Sequence, residues 1–185
     1  MTPRNDLDSL PNPSVLGSAA ATLVFALGLL ASGPAHAALP TAVNAELRAI
    51  ANLCREVGGK PDVAAALLRA DLNGDGRKDY VVDVGGARCD GAAGIYGDRE
   101  KGVSIFVTDA KGNAVKAFSD SSFAVRLEGG SNPSTIWLTV MGRGCGKAPA
   151  RDFANEHFCE RALRWNPKTR SFDYAAISTV RPLSQ

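Results

Sequence analysis

Arg69-Ala70-Asp71-Leu72-Asn73-Gly74-Asp75-Gly76-Arg77-Lys78-Asp79-Tyr80-Val81-Val82 places an oxygen-rich turn between two runs of strand character. Upstream lies Val63–Ala70, and downstream Tyr80-Val81-Val82-Asp83-Val84 is dominated by β-branched and aromatic residues. The stretch therefore reads as a strand–turn–strand unit, the building block of an antiparallel sheet. The same grammar continues to the C-terminus. Further strands are expected at Gly102–Thr108, Ala114–Ser119, Phe123–Leu127, Thr135–Met141, Arg161–Trp165 and Phe172–Ile177. Turn residues such as Asp109-Ala110-Lys111-Gly112-Asn113 and Asn166-Pro167-Lys168-Thr169 separate them. Only residues 41–57 carry a helical period, with Val43, Leu47, Ile50, Cys54 and Val57 in steps of four, three, four and three, stopped by Gly58-Gly59 and Pro61. The expected fold is mainly β: antiparallel sheets, as a sandwich or a partial propeller, with one N-terminal α-helix packed on them. The expected organisation is a leader at 1–37, helix and linker at 38–62, and a β domain at 63–185.

The turn itself carries chemistry. Asp71, Asn73, Asp75 and Asp79 occupy loop positions 1, 3, 5 and 9, and Gly74 and Gly76 permit the backbone to turn inward. Calcium is a hard cation that takes six to eight oxygens, and such a loop can wrap it. Asp71, Asn73 and Asp75 would ligate through side chains, Arg77 through its carbonyl, and Asp79 directly or through water. An EF-hand is excluded, because Val82 stands where a bidentate Glu is needed and the following segment is a strand. The stretch quoted above resembles the calcium loop of FG-GAP or VCBS-type repeats, seen in integrin-like propellers and exported bacterial proteins. That resemblance implies a structural ion that fixes a hairpin and catalyses nothing. This chain has one copy where those repeats come in series, so a complete propeller is not expected.

No Asp, Glu, Lys or Arg lies between Asp8 and Glu46, and Val15–Ala31 is almost wholly apolar. Gly33-Pro34 and the small-x-small triplet Ala35-His36-Ala37 follow, which reads as a cleaved secretory signal rather than a membrane span. An uncleaved inner-membrane anchor is the alternative. Export to the periplasm or beyond fits the four cysteines, all downstream, as a framework of two disulfides. Cys54–Cys89 would pin the helix to a sheet, and Cys145–Cys159 would close a short loop. Zinc is disfavoured, since there is no C-x2-C pair and His157 is the only histidine after the leader.

A formal charge of +2 argues against a nucleic-acid binder. Asp83, Asp90 and Asp98 follow the loop and read as turn residues rather than further ligands. Cys145-Gly146-Lys147 with Glu156-His157 gives no nucleophile if Cys145 is oxidised. Eight basic residues against four acids follow Met141, a surplus that suits an anionic glycan or lipid headgroup. Trp137 and Trp165 read as core residues, Trp165 being the better candidate for an exposed contact. The leading reading is an exported, disulfide-stapled, non-catalytic β module with a structural calcium loop, serving a protein or glycan partner at the cell envelope through Gly85–Lys101 and Gly142–Glu160. The alternatives are a small periplasmic hydrolase using Asp or Glu, and an inhibitor of a secreted enzyme that presents Gly142–Glu160 as a protruding loop.

Overall fold

The computed structural model of the chain describes residues 38–129 and 132–183, so the expected leader at 1–37 lies outside them. The fold is mainly β, with three antiparallel sheets and a single α-helix, and no barrel closes among the described residues. Helix α1 spans Thr41–Glu56 and buries Val43, Leu47, Ile50 and Cys54, the expected stripe. Val57 is exposed instead, because the helix ends one residue earlier and the chain turns away at Gly58.

The strands are β1 (Lys60–Asp62), β2 (Leu67–Ala70), β3 (Asp79–Asp83), β4 (Arg88–Asp90), β5 (Lys101–Thr108), β6 (Ala114–Ser122), β7 (Ala124–Glu128), β8 (Thr135–Met141), β9 (Phe158–Asn166) and β10 (Ser171–Tyr174). One four-stranded sheet runs β2-β3-β5-β6, a second runs β10-β9-β8-β7, and β1 pairs with β4. The expected strand at Val63–Ala70 begins only at Leu67, since Ala64–Ala66 coils into a 3-10 turn started by the Asp62 carboxylate accepting from the Ala64 N–H. Phe172–Ile177 likewise stops at Tyr174, and Ile177–Thr179 forms another 3-10 turn. Residues 60–62, expected as linker, form a strand because they find β4 as a partner.

Three layers result: helix, first sheet, second sheet. Val81, Val103, Ile105 and Val107 of the first sheet meet Ile136, Leu138, Val140, Leu163 and Phe172 of the second in one core. On its other face the first sheet packs Tyr80, Val82 and Phe106 against Val43, Leu47, Ile50 and Cys54 of α1. Strand β5 is therefore covered on both sides, with every residue from Val103 to Thr108 buried. Each large apolar side chain buried there contributes roughly 1.5–3 kcal/mol. Glu46 fastens the helix across the sheet by accepting from Ser104 Oγ and from Lys116 Nζ, the latter at 2.7 Å.

The disulfides are Cys54–Cys89 and Cys145–Cys159, the expected pairs, separated by 35 and 14 residues. In the chain-entropy account they contribute about 4 and about 3 kcal/mol by restricting the unfolded chain. The first bridge crosses directly over Gly59. A Cβ there would lie 2.3 Å from Cys89 Sγ and 2.8 Å from Cys54 Sγ. Gly59→Ala is expected to lower the melting temperature by several degrees through this overlap. Gly94→Ala, where a Cβ meets open space, should leave it within about one degree. Equal melting of the two variants would show that the bridge yields at no cost.

Candidate functional site

The loop Asp71–Lys78 closes the β2–β3 hairpin, whose last pair is Ala70 with Asp79. Its acids are met by the loop's own donors. Asp71 accepts from the Gly74 N–H (2.8 Å) and the Gly76 N–H (2.6 Å), which positive φ angles of 84° and 82° at the two glycines aim inward. Asn73 Oδ1 accepts from the Asp75 N–H, and Asp75 Oδ1 from the Arg77 N–H. Asp75 Oδ2 takes both the Asn73 amide and the Arg77 guanidinium. Partial burial pushes the Asp71 carboxyl upward, but the Gly76 and Gly74 N–H groups outweigh it and hold the pKa below the usual range.

Asp79 plays a different part. It is fully buried, with Oδ1 accepting from the Thr108 N–H (2.8 Å) and Oδ2 from the Leu72 N–H (3.0 Å). One carboxylate thus ties the entry of the loop to the end of β5. Thr108 reinforces the junction, donating from Oγ1 to the Lys78 carbonyl and accepting at its own carbonyl from Arg77 Nε. Desolvation raises the Asp79 pKa despite those two N–H bonds, with the negative charges of Asp75 and Asp71 adding to the rise.

Asp71, Asn73, Asp75 and the Arg77 carbonyl would offer a hard cation oxygens alone, the chemistry it takes. Among the described residues, no three His, Cys, Asp or Glu side chains are grouped to hold a metal. An ion seated in the loop would have to displace both the Arg77 guanidinium and the Asn73 amide from Asp75, and the guanidinium is also held at Nε by the Thr108 carbonyl. Asp83 accepts from the Gly85 N–H at the far end of β3, and Asp90 and Asp98 are exposed.

Of the two long loops, Gly85–Lys101 holds β4 and covers the helix-side core, Tyr96 donating to the Ile50 carbonyl at 3.1 Å. Gly142–Glu160 is laced to itself: Gly142 donates to the His157 carbonyl, Glu156 accepts from the Ala150 N–H, and Phe153 packs on Phe123 and Phe158. His157 is exposed and Cys145 is oxidised, which leaves no Cys/His nucleophile there.

A second constellation lies on the outer face of the second sheet, and single-sequence reasoning missed it. Arg126 donates two 2.8 Å bonds to Glu160, Arg181 donates to Glu128 at 2.9 Å, and Trp137 Nε1 donates to Glu128 at 2.7 Å. The Arg181 guanidinium lies 3.9 Å from the centre of a Trp137 ring. Trp137 is only 5% exposed, yet it sits outside the inter-sheet core, covered by these arginines. Arg126, Glu128, Trp137 and Glu160 occupy alternate, same-face positions of their strands, which the sequence displays; their pairing requires the register. The two arginines also decide the acids' titration. The Arg126 bonds hold the Glu160 pKa below its ordinary 4.5. Partial desolvation raises that of Glu128, but Arg181 and Trp137 more than reverse it.

Asp79→Asn places an amide NH2 against a backbone N–H and should cost about 1–3 kcal/mol, read as a lower urea midpoint; an unchanged midpoint would deny Asp79 its anchoring role. The Arg126–Glu160 pair, with its depressed carboxyl pKa, is fully stabilising above about pH 4.5 and fades as pH falls through the folded value. The melting deficit of Arg126→Gln is therefore expected to be largest above pH 5 and to shrink towards pH 3. A deficit independent of pH would place the effect in packing alone.

No family model, curated protein or solved structure matches the chain, so any functional reading rests on this geometry.

Proposed function

We propose that the chain is an exported, disulfide-stapled, non-catalytic module in which the Asp71–Asp79 loop holds a structural calcium ion and the β scaffold serves binding at the cell envelope. The observation that carries this reading is the oxygen-rich loop closing the β2–β3 hairpin, with two carboxylates, an amide oxygen and a carbonyl within seven residues of sequence. Asp71, Asn73, Asp75 and the Arg77 carbonyl would hold the ion, and Asp79 would carry its effect into β5. Two disulfides suit an oxidising compartment, and no helix among the described residues is long and apolar enough to cross a membrane.

The non-catalytic part of the reading draws on the acids. Glu128, Glu160, Asp71 and Asp109 line surface cavities, and all four have depressed pKa values. The two raised ones, Asp79 and Asp83, line none of those cavities. A glycosidase-type hydrolase needs a cleft carboxyl that stays protonated near neutrality, whereas the carboxyls at these four cavities are met by donors that favour the charged form. The inhibitor alternative needs a free protruding loop; residues 146–155 are largely exposed, but Phe153 ties them to Phe123 and Phe158.

Millimolar calcium is expected to raise the melting temperature by several degrees over chelator, because binding to the folded chain alone stabilises it. Asp75→Asn should abolish the shift. Arg77→Gln keeps the backbone carbonyl and removes the guanidinium from Asp75, and should tighten calcium binding several-fold by calorimetry. Superimposable melting curves with calcium and with chelator would remove the calcium reading.

A further inference from the structure

We propose that the cavity beside Trp137 and Trp165 is a binding subsite for an acidic saccharide, which deepens the reading of the chain as an envelope-binding module and rests on it. The cavity has a volume of about 410 Å³, within the range of small-molecule sites. Both tryptophans of the chain line it, together with Glu128, Arg164, Arg181 and Ser134. Trp165 is half-buried and held by Phe172 at 5.1 Å on the inter-sheet side of its strand, so its ring borders the cavity from the side opposite Arg164 and Trp137. A fixed indole offers an apolar face to the C–H side of a sugar ring at little entropic cost.

The polar lining is organised before any ligand arrives. Glu128 is locked by Trp137 Nε1 and Arg181, and Arg181 in turn lies over the Trp137 ring. These groups retain spare acceptor and donor capacity for hydroxyls. A wholly apolar ligand would strip water from Glu128 and Arg181 and return nothing, which disfavours a fatty chain. The charge balance then selects the class of saccharide. Glu128 and Arg181 neutralise one another, whereas Arg164 is exposed and forms no ion pair among the described residues. Asp173, its cross-strand neighbour, accepts from Asn166 instead. An unpaired guanidinium at the rim of an aromatic cavity matches a sugar carboxylate, which it can meet with two parallel hydrogen bonds.

Because the chain has no tryptophan elsewhere, tryptophan emission excited selectively over the tyrosines reports on this cavity. The full chain is titrated with a glucuronate–N-acetylglucosamine tetrasaccharide, with the N-acetylglucosamine–N-acetylmuramate disaccharide, and with neutral N-acetylglucosamine tetramer. The expected result is a saturable emission change with at least one acidic probe and at least tenfold weaker binding of the neutral one. Arg164→Gln, an exposed change whose melting curve should match the parent, is expected to weaken the acidic probe about tenfold and to flatten its salt dependence. No emission change with either acidic probe at millimolar concentration overturns the proposal, as does equal binding of the neutral tetramer or an unaltered Arg164→Gln titration. The calcium-dependent melting shift is measured on the same preparation. If it persists while the saccharides give no response, only this subsite fails.

Discussion

Strand β5 must be covered on both faces, and the architecture follows from that requirement. Val103, Ile105 and Val107 point into the space between the sheets, while Ser104 and Phe106 point towards α1. A sheet with two apolar faces needs two covering layers, and the chain supplies the helix first and the second sheet last. Each disulfide sits in one of these layers. Cys54 and Cys89 belong to the helix-side cluster, and Cys145 and Cys159 to the inter-sheet core. The bridges thus reinforce two separate contacts of one central sheet, a useful arrangement in a small domain whose core is divided.

Much of this was legible in the residues. The change of period after Gly59 marked the switch from helix to strands, and the stripe of Val43, Leu47, Ile50 and Cys54 named the face that packs. Both cysteine pairs followed from asking which bond would pin the helix and which would close a short loop. What stayed hidden depends on register or on tertiary pairing. The β1–β4 ribbon consists of two three-residue strands that have no periodic signature and exist because each finds the other. Trp137 was legible as buried, but the residues that bury it are Arg126 and Arg181, far apart in sequence and brought together only by the strand order. In the loop, the spacing of Asp71, Asn73 and Asp75 was plain, while the reach of the Arg77 guanidinium to Asp75 and to the Thr108 carbonyl was not.

Charge is handled at close quarters in the β2–β3 loop and on the outer face of the second sheet. Near-neutrality conceals acids that are each answered by a donor close by: backbone N–H groups for Asp71, Asp79 and Asp109, and guanidinium groups for Glu128 and Glu160. This separates two kinds of acid. Those met by backbone N–H groups shape the backbone, whereas those met by arginines hold the outer face of the second sheet together. Only the second kind leaves an aromatic ring and polar groups side by side at a cavity.

The antiparallel bridge between Glu160 and Arg181 bears on how the folded chain avoids its own kind. Strand β10 covers β9 only from Leu163 to Asn166, which would leave the preceding part of β9 with unanswered backbone groups along that side. Ala175 donates to the Ala162 carbonyl, and Arg181 exchanges two 2.9 Å bonds with Glu160, so the departing tail occupies the open side of β9. A nine-residue strand with a bare flank is a template for recruiting another chain in extended form. Here the same arginine that rests on Trp137 also blocks that recruitment, joining resistance to aggregation to the integrity of the cavity.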